Sequence, residues 1–303
     1  MLIPTPTYRA EENLFFKLEH VNFGGSHKVR AAKFMIEQAI RDGRLRPGSG
    51  QTIIEKTGGN LGIGLAIFAN RYGFSLELAV ASSFSPVKRK ILDYYGAELI
   101  GIDMLKAGAK PREVIAYHLE MAEAWGKQYY FIDQFNNEAN FRAHYEETAV
   151  ELITHIESTF GAQYRDRLVL VGGVGSGASL SGIGLALKES FPDVEVVAVQ
   201  PEGCDIANEK FIEHNLQGIA VGVKPKIFRA DVVDRYVSCS EAAAYCAQRR
   251  FARQHGVFPG NSSGANVHVA YWIREQYASS KVQVISLIYD TGDAYVCSDC
   301  RMR

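Results

Sequence analysis

Short, continuously apolar runs alternate with helix-length segments along this chain, joined by glycine-rich turns, and this pattern constrains the fold more than any other feature. Residues 51–55 read as a strand that enters a glycine-rich turn and then a helical stretch over 63–72. Residues 76–80 read as the next strand, and Pro86 stands where it can open a helix running to Tyr95. The order recurs with a strand at 168–171, a second glycine-rich turn, a helix over about 180–189 and strands at 194–200 and 282–288. Residues 129–131 form a short strand between helical stretches at 112–125 and 139–160, the second stopped by Gly161. Strands that are apolar throughout are buried on both faces, so the pattern predicts an α/β fold of open, mostly parallel sheets covered by helices.

At 303 residues, and with roughly 150 residues per domain, two domains are expected. No linker or repeat separates them, so a closely docked pair with a cleft is expected, with ligands at the carboxyl ends of strands. Lys and Arg number 33 against 34 Asp and Glu. That balance provides no global field to recruit nucleic acid or an anionic membrane. The basic cluster Lys88-Arg-Lys90 reads as the wet end of a helix. The amino terminus has no secretory signal and no apolar run reaches membrane-spanning length, so a cytoplasmic protein is expected. Five cysteines at irregular spacings do not make a disulfide scaffold. Cys297-Ser-Asp-Cys300 is a single CxxC pair without the two further ligands that zinc needs, which leaves an incidental or a redox role and no metal site.

Four polar loops interrupt the scaffold. Asn22-Phe-Gly-Gly-Ser-His-Lys-Val-Arg30 leads into a helix, with Ser26 placed to cap it and Lys28 in its first turn. Alone, Lys28 is an ordinary solvated helix residue. The helix dipole disfavours its charge, however, and a neutral amine is what a Schiff base requires. Thr57-Gly-Gly-Asn-Leu-Gly-Ile-Gly64 follows a strand and opens a helix, where amides of the first turn make an anion site. It has neither the Lys-Ser/Thr of a Walker loop nor the GxGxxG frame of a dinucleotide fold. Gly172-Gly-Val-Gly-Ser-Gly-Ala-Ser-Leu-Ser-Gly182 superficially fits GxGxxA from Gly173 to Ala178, but its serines suit a terminal phosphate monoester better. Gly260-Asn-Ser-Ser-Gly-Ala265 and the turn Asp290-Thr-Gly-Asp293 complete the set. Each taken singly is also compatible with a plain turn.

Together these segments resemble the fold type II family of pyridoxal phosphate enzymes, in the cysteine synthase and cystathionine β-synthase branch, over nearly the whole chain. Pro4-Thr-Pro6 is similar to the amino-terminal Thr-Pro motif, and Ser26-His-Lys-Val-Arg30 to the cofactor lysine motif. Thr57-Gly-Gly-Asn-Leu-Gly62 resembles the Thr-Ser-Gly-Asn-Thr-Gly loop, and Gly175-Ser-Gly-Ala-Ser179 the Gly-Thr-Gly-Gly-Thr phosphate cup. Gln134-Phe, Gln217-Gly-Ile219 and Ser262-Ser-Gly-Ala265 are further family elements, and Thr291 stands where a Ser or Thr faces the pyridine nitrogen.

The resemblance implies that pyridoxal 5′-phosphate lies in an interdomain cleft of a tryptophan synthase β-like fold. Residues 1–24 with 137–303 would form a larger domain that binds the cofactor phosphate, and residues 25–136 a smaller, mobile domain that carries the substrate loop. It makes Lys28 the catalytic and cofactor-holding residue, with Asn60, Gly175, Ser176, Gly177, Ala178, Ser179 and Thr291 also on the cofactor. Thr57, Gly58, Gly59, Leu61, Gln134 and Gly218 would contact the substrate, and the assembly would be a homodimer. The implied reaction is β-replacement, through an aminoacrylate, on serine activated as O-acetylserine or O-phosphoserine. Sulfide or an amine would be the nucleophile, and the product cysteine or a β-substituted alanine.

A neutral Thr291 cannot keep the pyridine nitrogen protonated as a carboxylate would, which favours loss of a β-leaving group. The alternatives are net β-elimination, by a cysteine desulfhydrase or a serine/threonine dehydratase, and a binding homologue without turnover. Three positions depart from the family pattern: Gly58 replaces Ser, Leu61 replaces Thr and Val29 replaces Asp.

Overall fold

The computed structural model describes residues 2–81, 86–277 and 281–296. In chain order its elements are β1 (Thr7–Glu11), β2 (Leu14–Leu18), α1 (Lys28–Arg41), β3 (Thr52–Glu55), α2 (Asn60–Tyr72), β4 (Ser75–Leu78), α3 (Pro86–Tyr94) and β5 (Glu98–Leu99). Then come α4 (Ile102–Lys106), α5 (Pro111–Glu120), β6 (Tyr129–Phe131), α6 (Glu138–Ala143), α7 (Ala149–Phe160), β7 (Leu168–Gly173), α8 (Ala178–Ser190) and β8 (Val194–Pro201). The remainder is β9 (Arg235–Cys239), α9 (Glu241–His255), α10 (Asn261–Gln276) and β10 (Gln283–Ile288). The chain divides into two units, Met1–His27 with Phe141–Arg303, and Lys28–Asn140.

The first unit holds a six-stranded sheet in the order β1-β2-β10-β7-β8-β9, parallel except for the β1–β2 pair. Its central strands are apolar throughout because helices cover both faces. Leu168 and Leu170 of β7 join Leu152 and Ile156 of α7 and Leu180, Ile183 and Leu187 of α8 in one core. The intervening Val169 and Val171 join Phe251 of α9 and Val267, Ala270 and Ile273 of α10 in the other. Each buried Leu, Ile or Val contributes about 1.5–3 kcal/mol. A loss on either face therefore weakens the platform beneath the loops.

The second unit holds a four-stranded, wholly parallel sheet in the order β5-β4-β3-β6. Ile54 and Ala79 pack there with Ile100, Val114 and Ile115. Helices α1 and α2 meet at Gly64, where a Cβ would stand 3.0 Å from both the Lys28 carbonyl oxygen and the Val29 Cα. Glycine is required there by close approach, since the backbones could not otherwise lie so near.

Several local expectations need correction. The apolar pattern marks no element before Asn22, yet 7–18 form the β1–β2 hairpin, in which Leu14, Phe15 and Phe16 are buried. The helix expected to reach Trp125 ends at Glu120. The stretch 139–160 is interrupted by a turn of π-helix at His144–Thr148, where Gly182 of α8 comes so close that a Cβ would stand 2.8 Å from the Phe141 carbonyl oxygen. Lys88 is not at a wet helix end: it is 3% exposed. Helix α1 begins at Lys28, so His27 immediately precedes it, while Ser26 forms an antiparallel bridge with Asp290. Cys297 and Cys300 lie outside the described residues, while Cys204 and Cys239 are buried and Cys246 is exposed.

Candidate functional site

Each sheet has a point where its strand order reverses, and three of the segments singled out from sequence, 57–64, 172–182 and 290–293, sit at the carboxyl ends of strands that flank it. In the first unit the reversal falls between β7 and β10. From there successive strands run outward in opposite directions and leave a crevice, the usual ligand position in open α/β sheets. Beyond β7 the chain makes the turn Val174-Gly-Ser-Gly177 and enters α8. Gly177, which has no side chain to cap with, stands at the start of the helix at φ +77°.

Glycine at these positions follows from crowding. A Cβ on Gly175 would stand 2.1 Å from the Gly218 carbonyl oxygen, and one on Gly177 would stand 2.5 Å from Phe228. The Gly218 segment is stitched on by the Ala220 N–H, which donates to the Val174 carbonyl at 2.8 Å. Ser176 and Ser179 are buried beside this turn, and the Ala178 N–H reaches Ser176 Oγ at 3.4 Å. A helix amino terminus with hydroxyls and a close-packed glycine backbone is an anion cradle.

Beyond β10 lies Thr291, whose hydroxyl donates to Asp293 Oδ2 at 2.6 Å. The residue before it, Asp290, is buried and organises the turn. Its carboxylate accepts from Tyr295 at 2.5 Å and from Ser263 at 3.5 Å, and its carbonyl accepts the Gly260 N–H at 2.9 Å. The segment leading toward Lys28 is pinned to the same place. The His27 N–H donates to the Tyr289 carbonyl at 3.0 Å, and the His27 and Tyr289 rings lie 4.5 Å apart. Tyr289 donates its hydroxyl to the Gly173 carbonyl at 3.2 Å, and burial raises its pKa above the ordinary phenol value. The cup and the Thr291 turn are thus tied together within this unit.

In the second unit the reversal falls between β3 and β6. Thr57, Gly58 and Gly59 leave β3, and α2 starts at Asn60 with Gly59, which has no side chain, as its cap. Thr57 and Gly58 are buried, Asn60 is half-buried, and Leu61 is only 3% exposed. Gln134 follows β6 and is also buried. Lys28 opens α1, half-buried, with Val29 and Arg30 buried behind it. Gly64 fixes the beginning of α1 against α2, so within this unit Lys28 and the 57–62 loop share one packed pair of helices.

Three residues that organise these loops escape the sequence motifs: Glu55, Asn140 and Tyr289. Glu55 carried a signal, since it is an acid at the carboxyl end of an apolar strand next to a site loop. Asn140 and Tyr289 carried none that is local.

These residues suit a cofactor with a terminal phosphate and a carbonyl carbon. In the first unit a glycine-capped helix terminus beside two buried serines fits a phosphate, and in the second a lysine opening a helix is an amine of the kind that a carbonyl carbon takes up. The Gln217 Oε1 atom is buried without a hydrogen-bond partner among the described residues, so the Gln217-Gly218 segment has polar capacity to spare.

A family model described as pyridoxal-phosphate dependent enzyme matches residues 2–288. The chain is 35% identical over 293 residues to a probable cysteine synthase of Bacillus subtilis, spanning 94% of this chain and 89% of that protein. A solved structure of O-ureido-L-serine synthase superposes with a TM-score of 0.85 at 31% identity, covering 98% of this chain and 92% of the other. A hydrogen sulfide-producing enzyme from Fusobacterium nucleatum superposes with a TM-score of 0.80 at 26% identity, covering 98% and 94%. The extent of these matches, on a chain whose two sheets carry the family's loops at their reversal points, shows that it belongs to the pyridoxal-phosphate-dependent enzymes of fold type II, in the cysteine synthase and cystathionine β-synthase branch.

Proposed function

We propose that this protein catalyses β-replacement on an O-activated L-serine, O-acetylserine or O-phosphoserine, with sulfide or a small amine as nucleophile. The product is cysteine or a β-substituted alanine. The observation that carries this reading is the pairing, on adjacent strands of one sheet, of an anion cradle after β7 with a neutral hydroxyl, Thr291, after β10. Likeness to a probable cysteine synthase and to O-ureido-L-serine synthase supports serine derivatives as substrates.

Pyridoxal phosphate, when bound, supplies the electron sink that lets the substrate's Cα proton leave and its β-bond break. The amides of Gly175, Gly177 and Ala178, with the Ser176 and Ser179 hydroxyls, hold its phosphate. Asn60 binds its ring oxygen. Lys28 Nζ would hold it, and the same amine would take the proton from the substrate's Cα. Thr57, Gly58, Gly59 and Leu61 present the amides that bind the substrate carboxylate, and Gln134 and Gly218 border the substrate. Thr291 offers the ring nitrogen a neutral hydroxyl, which cannot hold a proton there as a carboxylate would. A homodimer in the cytoplasm is part of the same proposal.

Likeness to a hydrogen sulfide-producing enzyme favours a second reading, net β-elimination. The two separate in one experiment. Purified holoenzyme is titrated with O-acetylserine, O-phosphoserine and cysteine while the cofactor spectrum is followed; sulfide or an amine is then added and products are identified by mass. A new β-substituted amino acid that requires the nucleophile supports replacement. Pyruvate and ammonia formed at the same rate without it contradict replacement and establish elimination.

A further inference from the structure

The reversal point of the four-stranded sheet is spanned by one carboxylate. Glu55, the last residue of β3, is fully buried. Its Oε1 accepts the N–H of Lys56 at 2.8 Å, and its Oε2 accepts the N–H of Gln134 at 3.2 Å, from a residue 79 positions along the chain. Gln134 is also held from its other side, where Asn140 Nδ2 donates to its carbonyl at 2.9 Å. Asp133, just before it, takes a left-handed φ of +53°. A non-glycine residue keeps that conformation when its surroundings fix it. One side chain therefore joins the start of the 57–62 loop to the Gln134 segment.

We propose that Glu55 is a positioning residue whose ionised carboxylate ties the 57–62 loop to the Gln134 segment, and that its protonation loosens this tie and weakens binding of the amino-acid substrate. The proposal rests on the assignment of both segments to the substrate. An ionised carboxylate accepts at both oxygens, whereas a protonated one carries its hydrogen on an oxygen that faces a backbone N–H. One of the two bonds is then lost, and the segment it held gains freedom. Neutral pH is where this matters, because burial pushes the Glu55 carboxyl up to about 7 against the lowering effect of the two N–H donors. The charged groups that face it are Lys56, which favours the ionised form, and Asp133, which opposes it. The Lys56 ammonium lies 5.4 Å from the Phe131 ring and 5.8 Å from that of Phe135, on the chain flanking Gln134. The carboxylate joins the two backbones just beyond the strand pair, whose last bond runs from the Ile132 N–H to the Ile54 carbonyl at 3.3 Å.

Glu55→Gln keeps the shape, removes the titration and leaves one acceptor for two donors. Amide hydrogen exchange of wild-type and E55Q holoenzyme, corrected for intrinsic rates, reads the tie at Lys56 and Gln134 between pH 6 and 8. Protection in the wild type is expected to rise about tenfold through pH 7 and to stay flat and low in E55Q. In parallel, KM for O-acetyl-L-serine should rise several-fold as the wild type is taken below pH 7, with kcat changing less, and E55Q should hold the higher KM at every pH. Identical protection profiles in the two proteins overturn the proposal, and a wild-type tie indifferent to pH overturns it equally. A pH-dependent tie with no change in KM upholds the tie and overturns instead the assignment of these segments to substrate.

Discussion

Gly175 and Gly218 lie so close that the Gly218 carbonyl oxygen stands 2.1 Å from where a Cβ on Gly175 would be. The contact forms one wall of the anion cradle, and no flexible side chain there can give way. Gly175→Ala must push the cup and the Gly218 segment apart, at an overpacking cost of about 1–3 kcal/mol. Displaced amides should weaken affinity for pyridoxal phosphate about 10- to 100-fold, since 1.4 kcal/mol is a factor of ten. Titration of the cofactor-free variant with pyridoxal phosphate checks this, and unchanged affinity would remove the cradle from the account.

A second close approach governs Lys28. A Cβ on Gly64 would stand 3.0 Å from the Lys28 carbonyl oxygen and 3.1 Å from the Ala32 Cβ. Alanine gains about 1 kcal/mol of helix propensity over glycine, but overpacking against the backbone of a neighbouring helix costs about 1–3 kcal/mol. Gly64→Ala should therefore be less stable by about 1 kcal/mol, read from the urea midpoint. A raised midpoint would mean that α1 yields freely.

Asp290 holds the Thr291 turn through hydrogen bonds that a shorter side chain cannot make. Asp290→Ala removes the carboxylate that accepts from the Tyr295 and Ser263 hydroxyls and should cost about 1–3 kcal/mol. Asp290→Asn keeps the shape and should cost less. Equal denaturation midpoints for the alanine variant and the wild type would show the network to be incidental.

Legibility from sequence followed locality. The cup, the 57–62 loop and the Thr291 turn were readable because glycines and hydroxyls between an apolar strand and a helix have few other uses, and β7 and β10 advertise themselves by burial on both faces. The β1–β2 hairpin was not, because Leu14–Leu18 is a single short run with no glycine-rich turn beside it. Glu55 looked like the polar end of a strand. What makes it more is Gln134, brought beside it by the parallel pairing of β3 with β6. Lys88 followed the same rule: its sequence neighbours are basic, and only packing buries it.

The Glu55 carboxyl also makes stability depend on pH in a stated direction. Its pKa is raised from 4.5 to about 7 by burial. The folded state therefore binds this proton more tightly than the unfolded chain, so the contribution is fully present below pH 4.5 and is lost as pH rises through 7. The loss amounts to about 3 kcal/mol. Glu55→Gln lacks this titration, and its stability relative to the wild type should improve by about that amount between pH 5 and pH 8 in guanidinium unfolding. A constant difference across that range would mean that Glu55 is ionised throughout.

The central claim is that Lys28 holds the cofactor. Borohydride reduction of the holoenzyme, followed by proteolysis and mass spectrometry, tests it most directly. The account predicts one peptide carrying the added phosphopyridoxyl mass, with the modification on Lys28, and no such adduct or visible cofactor band in Lys28→Ala. A phosphopyridoxyl group on another lysine, or an unaltered band in Lys28→Ala, would contradict it.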